Sequence, residues 1–137
     1  MPKPAAADTT APDQRPPKQY AIIIDALLVL VFATIGRATH GESIAPVQVA
    51  STAWPFITAL LVAWAVMLIR KRPHLGVGAG LFVWFTTWVG GLALRVTGGD
   101  TAATAFIIVA GVVLLVFLVG WRAIALVLDR RTSVAHE

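Results

Sequence analysis

The sequence predicts an all-α integral membrane protein, an up-down bundle of four transmembrane helices. Hydrophobic residues make up 58% of the 137 and charged ones 13%, with mean hydropathy +0.80. A soluble domain of this size needs more polar residues to cover its surface. The apolar residues fall into four blocks near the length that crosses a bilayer, about 20 residues at about 1.5 Å rise each. Lysine and arginine lie almost wholly at alternate ends of those blocks, as the positive-inside rule requires.

The elements follow in order. Residues 1–19 hold five of the eight prolines, with Lys3, Asp8, Asp13, Arg15 and Lys18. They lack the apolar core of a secretory signal and read as a disordered cytoplasmic tail. The first span covers 20–38, with Tyr20 at the headgroup layer. The second covers 47–69, where Trp54-Pro55 near the start predicts an irregular first turn. The third covers 75–94, the fourth 102–128, and residues 129–137 form a polar cytoplasmic tail. Gly98-Gly99 can end one helix, and Asp100 or Thr101 can cap the next. The short links make sequential helices antiparallel neighbours. No internal repeat is evident.

Orientation rests on basic residues near the span ends. Lys3, Arg15, Lys18, Arg70, Lys71, Arg72, Arg122, Arg130 and Arg131 fall on one side, and only Arg37 and Arg95 on the other. Both termini are therefore expected in the cytoplasm, with the protein in the plasma membrane. The net charge of +4 belongs to that arrangement. Basic residues flank spans and do not form a patch with interleaved aromatics, so no nucleic-acid partner is expected.

Two sets of residues can carry chemistry. Asp25 lies about 7 Å into the first span at helical rise. A buried acid at a span centre costs about 3 kcal/mol to insert, so it needs a partner. Arg122 sits at similar depth in the fourth span, on a stripe with Thr104, Gly111 and Leu115, and the first and fourth helices of a closed ring are neighbours. An Asp25–Arg122 ion pair is predicted, either as a structural clamp or as a proton or cation site. On the opposite side, Arg37, His40, Glu42, Arg95 and Asp100 can neutralise one another, or the two arginines can hold an anion at a central mouth. His40, Glu42 and Asp100 lack diagnostic metal-ligand spacing, and no metal is expected.

Gly76, Gly80, Thr87 and Gly91 fall within about 40° of one line and suit close helix packing, within the molecule or between copies. Trp54 and Trp121 fit interfacial belts, whereas Trp64, Trp84 and Trp88 lie deeper, in a ligand pocket, the core or the lipid face. The chain has no cysteine, so disulfides and thiolate chemistry are excluded. No HExxH, GxSxG, P-loop or dinucleotide fingerprint occurs, and no histidine pair suits haem. No cofactor and no enzymatic activity are expected; a lipid-modifying reaction using His40 and the arginines is the minor alternative.

The segments FATIGRATHGE, RKRP and GLFVWFTTWVGGLALRVTGGDTAATAFIIVA, with Trp121-Arg122, resemble an uncharacterised family of small prokaryotic membrane proteins, domain of unknown function family 3054. The likeness covers roughly residues 20–122. It implies a four-span membrane protein without an assigned activity and carries over no functional residue.

The function expected is therefore a non-enzymatic, transport-like or solute- or ion-binding membrane module. Four helices are few for a carrier, so it would work as an oligomer in the lipid bilayer. The alternative is a structural or accessory subunit bound to a partner membrane protein. Transport predicts a cavity from the outer mouth toward Arg37 or Asp25; the accessory role predicts buried charges that are fully paired.

Overall fold

The computed structural model describes residues 17–135. It consists of four helices: α1 (Lys18–Thr39), α2 (Pro46–Ile69), α3 (Val77–Thr97) and α4 (Thr104–Val134), with no strand among the described residues. Each is long and apolar enough to cross a membrane. The tail expected at 1–19 lies outside the described residues except for its last three. Lys18 and Gln19 already form the first turn of α1, behind the cap Pro17 (φ −59°, ψ 153°).

Three other boundaries shift for local reasons. Pro46 occupies the first turn of α2, where its missing N–H costs nothing, so Pro55 is internal. The helix runs through Pro55 and buries it, without the irregular start expected. Helix α3 starts later and ends later than expected, because Gly76 is extended (ψ 156°) and Arg95–Thr97 stay helical. Helix α4 continues past Leu128 to Val134. No breaker interrupts Asp129–Arg131, and Arg130 and Arg131 suit the negative end of the helix dipole.

Three helices end alike. Behind α1, the Gly41 and Glu42 N–H groups donate to the Ala38 and Arg37 carbonyls, with Gly41 at φ +68°. Behind α3, Gly99 and Asp100 donate to Val96 and Arg95, with Gly99 at φ +95°. Behind α2, Lys71 and Arg72 donate to Leu68 and Met67, but Lys71 takes the left-handed place (φ +52°) without glycine's freedom.

The helices form a ring in which α1 touches α2 and α4, and α3 touches α2 and α4, while the diagonal backbones stay apart. The α2–α3 seam is the most extensive and the α1–α4 seam the least. Val29, Phe56, Leu60, Trp64, Val83, Leu114 and Leu118 fill the centre. Phe32 packs edge-on against Phe56 at 5.4 Å. Large aliphatic side chains face outward on all four helices, joined on α3 by Phe82 and Phe85, as a lipid-facing surface requires.

An internal repeat, not evident beforehand, emerges once helix ends and burial are aligned. Shifting the first hairpin by 58 residues superposes it on the second without a gap. Thr39 and Thr97 end α1 and α3, and Pro46 and Thr104 begin α2 and α4. Arg37-x-Thr39-x-Gly41-Glu42-Ser43 falls on Arg95-x-Thr97-x-Gly99-Asp100-Thr101. The buried residues Asp25, Val29 and Ala33 fall on the buried Val83, Thr87 and Gly91. Ala53, Phe56, Leu60 and Trp64 fall likewise on Gly111, Leu114, Leu118 and Arg122. The chain is two same-direction helical hairpins.

Candidate functional site

The first site is a closed cluster of charge and indole at the end of the bundle where α1 and α3 begin and α2 and α4 end. Asp25 lies at four-residue spacing on the buried face Ala21, Asp25, Val29 and so faces the core. Arg122 holds the corresponding place on α4, below Leu118. Both side chains are fully buried, and Arg122 Nη2 lies 2.8 Å from Asp25 Oδ2. The pair is bidentate: Nη1 donates to Oδ1 and Nη2 to Oδ2, each at 2.8 Å.

Two tryptophans complete the carboxylate. The Trp64 Nε1–H of α2 donates to Oδ2 at 2.9 Å, and the Trp121 Nε1–H of α4 donates to Oδ1 at 2.7 Å. A carboxylate has about four acceptor positions, and all are taken. Arg122 also donates to backbone: Nε to the His74 carbonyl at 2.9 Å and Nη1 to the Leu118 carbonyl at 2.8 Å. Its guanidinium carbon lies 4.7 Å from the centre of the Trp121 ring, a cation–π contact. Gly80 of α3 makes room, since a Cβ there would meet Arg122 Cδ at 3.0 Å. All four helices and the α2–α3 link therefore converge on one ion pair. Chemically the cluster is saturated: neither oxygen has a free position for a cation or a solute.

The residues of the opposite end do not form one site. Arg37 donates from Nε to the Ser43 carbonyl at 2.6 Å and from Nη1 to Thr52 Oγ1 at 2.9 Å, and pairs with Glu42 at 3.0 Å. Arg95 donates from Nε to the Thr101 carbonyl at 3.1 Å, approaches Asp100 at 3.7 Å and lies over the Phe106 ring at 4.9 Å. These are the same device twice: each arginine ends a helix and reaches across the left-handed glycine to fasten the link that follows. Among the described residues no hydrogen bond or ion pair joins Arg37, His40 or Glu42 to Arg95 or Asp100. His40 is exposed, and its backbone N–H, not its ring, joins the turn by donating to the Arg37 carbonyl. Each arginine thus clamps the link that follows its own helix, and no contact joins the two groups into the shared mouth expected from the sequence.

The predicted packing stripe divides. Gly80, Thr87 and Gly91 are buried inside the molecule, with Gly80 against α4 and Gly91 against the Phe56 ring of α2. Gly76 does not belong with them: it precedes the helix, and a Cβ there would meet nothing within 4 Å. Gly80, Thr87 and Gly91 are thus used for packing within the ring. Thr87 Oγ1 is buried without a hydrogen-bond partner among the described residues, and nothing in the structure explains it. Trp84 and Trp88 stack at 5.4 Å and donate their indole N–H groups to the Gly111 and Ile107 carbonyls of α4. Gly111 is the flat place against which Trp88 lies.

Sequence reasoning missed Trp64 and Trp121 as ligands of Asp25. Depth held a signal for Trp64, which lies about as far from the end of α2 as Asp25 from the start of α1.

No curated protein and no solved structure matches the chain. A family described as "Protein of unknown function (DUF3054)" matches residues 22–125, the stretch that contains Asp25, Arg122 and both arginine clamps. The chain belongs to the DUF3054 family.

Proposed function

We propose that this multi-pass membrane protein is a non-catalytic structural or accessory module, a rigid four-helix frame that works through its surface. One observation carries the reading: Asp25 is fully buried with its acceptor positions filled by Arg122, Trp64 and Trp121. A carrier's coupling acid must exchange partners during its cycle, whereas this one is held at once by partners on α2 and α4. The oligomeric carrier expected from the sequence draws no support from the opposite end either, where each arginine serves its own link.

Breaking a buried pair by removing one partner costs about 3–5 kcal/mol. Asp25→Asn is therefore expected to lower thermal stability in detergent strongly, or to abolish recovery of folded protein. A variant that folds with wild-type stability would show that the cluster is not the frame's clamp and would return Asp25 to the carrier reading.

The end that carries Arg70, Lys71, Arg72, Arg130 and Arg131 faces the cytoplasm of the plasma membrane in this proposal, as the distribution of basic residues supports. The chain has no cysteine, so single cysteines report topology cleanly. An impermeant thiol reagent added to intact cells should label His40→Cys and not Lys71→Cys; the reverse pattern would invert the orientation.

A further inference from the structure

A cavity of about 440 Å³ opens beside the core at the same end as the buried pair, between the end of α2, the link and the start of α3. Its polar wall is Arg70 and Arg72, and its apolar wall includes Val66 of α2 and Phe82 of α3. No Asp or Glu occurs between Glu42 and Asp100, so α2, the link and α3 supply no acid to these guanidinium groups. Among the described residues neither Arg70 nor Arg72 forms an ion pair.

The start of α3 adds to the same wall. Gly78 and Ala79 line the cavity from the first turn, which has no capping side chain and no acidic residue. The first N–H groups of a helix have no partner within it and concentrate positive partial charge. Gly78 leaves the approach open, since a Cβ there would meet nothing within 4 Å. Two unmatched guanidinium groups and an uncapped helix start make a site for a phosphate-type anion.

The second half of the wall decides what carries that anion. Val66 and Phe82 lie about one helical turn into their spans, so apolar surface begins directly below the arginines. Phe82 is 40% exposed although it lies within a span. A soluble phosphate uses only the polar half; an amphiphile whose phosphate stands at the membrane interface uses both. We propose that this cavity binds the phosphate headgroup of an anionic phospholipid, with the upper part of an acyl chain against Val66 and Phe82. The proposal rests on the membrane-spanning fold and stands independently of the accessory reading.

Native mass spectrometry of the full chain in detergent tests it, with phosphatidylglycerol, phosphatidylcholine and inorganic phosphate titrated separately. Phosphatidylglycerol should bind at least about tenfold tighter than phosphatidylcholine, the order expected of two interfacial arginines. The double variant R70Q/R72Q should bring the two lipids level, and Gly78→Leu, which fills an open approach, should weaken phosphatidylglycerol binding. R130Q/R131Q, at the same end but outside the cavity, should keep the preference. Equal binding of both lipids by the unaltered protein, or a preference that survives R70Q/R72Q or disappears with R130Q/R131Q, overturns the site. Inorganic phosphate competing at the concentration of the lipid overturns the choice of ligand in favour of a soluble anion.

Discussion

Asp25 shows how a single charge inside a membrane span is made tolerable. Its carboxylate accepts from two guanidinium nitrogens and two indoles, and the arginine in turn donates to two carbonyls. The arrangement has a direction: acceptors belong at position 25 and donors at 122. The exchange Asp25→Arg with Arg122→Asp keeps the opposite charges but sets a guanidinium against the Trp64 and Trp121 N–H groups and a carboxylate against the Leu118 and His74 carbonyls. Each buried polar group left unpaired costs about 1–3 kcal/mol. The exchanged protein is expected to remain strongly destabilised by thermal unfolding followed through size-exclusion chromatography; recovery to wild-type stability would mean that the pair acts by charge alone. The pairing of Asp25 with Arg122 was legible because equal depth on neighbouring helices leaves few alternatives. The indole donors were not, since tryptophan reads as apolar or interfacial until its N–H has a direction.

Among the helices, small residues decide which faces meet. Gly91 admits the Phe56 ring and Gly111 admits Trp88, whose neighbour Trp84 is stacked on it at 10°. Side chains at these glycines collide with rings that fill the core, and overpacking costs about 1–3 kcal/mol. Gly91→Val is expected to lower the unfolding temperature, whereas Gly76→Ala should leave it unchanged, as circular dichroism melts can show. Equal effects would contradict the division of the stripe. Angular arithmetic found Gly80, Thr87 and Gly91 because α3 is regular across them; it failed at Gly76 because the helix begins one residue later. The end of α3 was legible in Gly98-Gly99; the same turn at Gly41 was not singled out, and at Lys71 there was no glycine to read.

For the whole molecule, the repeat gives the ion pair its meaning. Asp25 and Arg122 stand on the α1–α4 seam where the matching α2–α3 seam has Val83 and Trp64. The α2–α3 seam is joined by the chain itself and is the more extensive; the α1–α4 seam has no covalent link and is the weaker. The clamp lies where the fold lacks a tether. Span number and antiparallel order were plain in hydropathy and link length. The repeat was not, because its likeness concentrates in the arginine–glycine links and in burial, while lipid-facing positions accept almost any apolar side chain. Leu27 of α1 and Ile124 of α4 are exposed and lie two residues from Asp25 and Arg122, and each can be changed to cysteine in a chain that has none. Double electron–electron resonance between spin labels at these two positions, in liposomes, measures the seam directly. A static clamp predicts one narrow distance distribution that broadens on Asp25→Asn; two exchanging distances in the unaltered protein would contradict it and restore a moving, carrier-like seam.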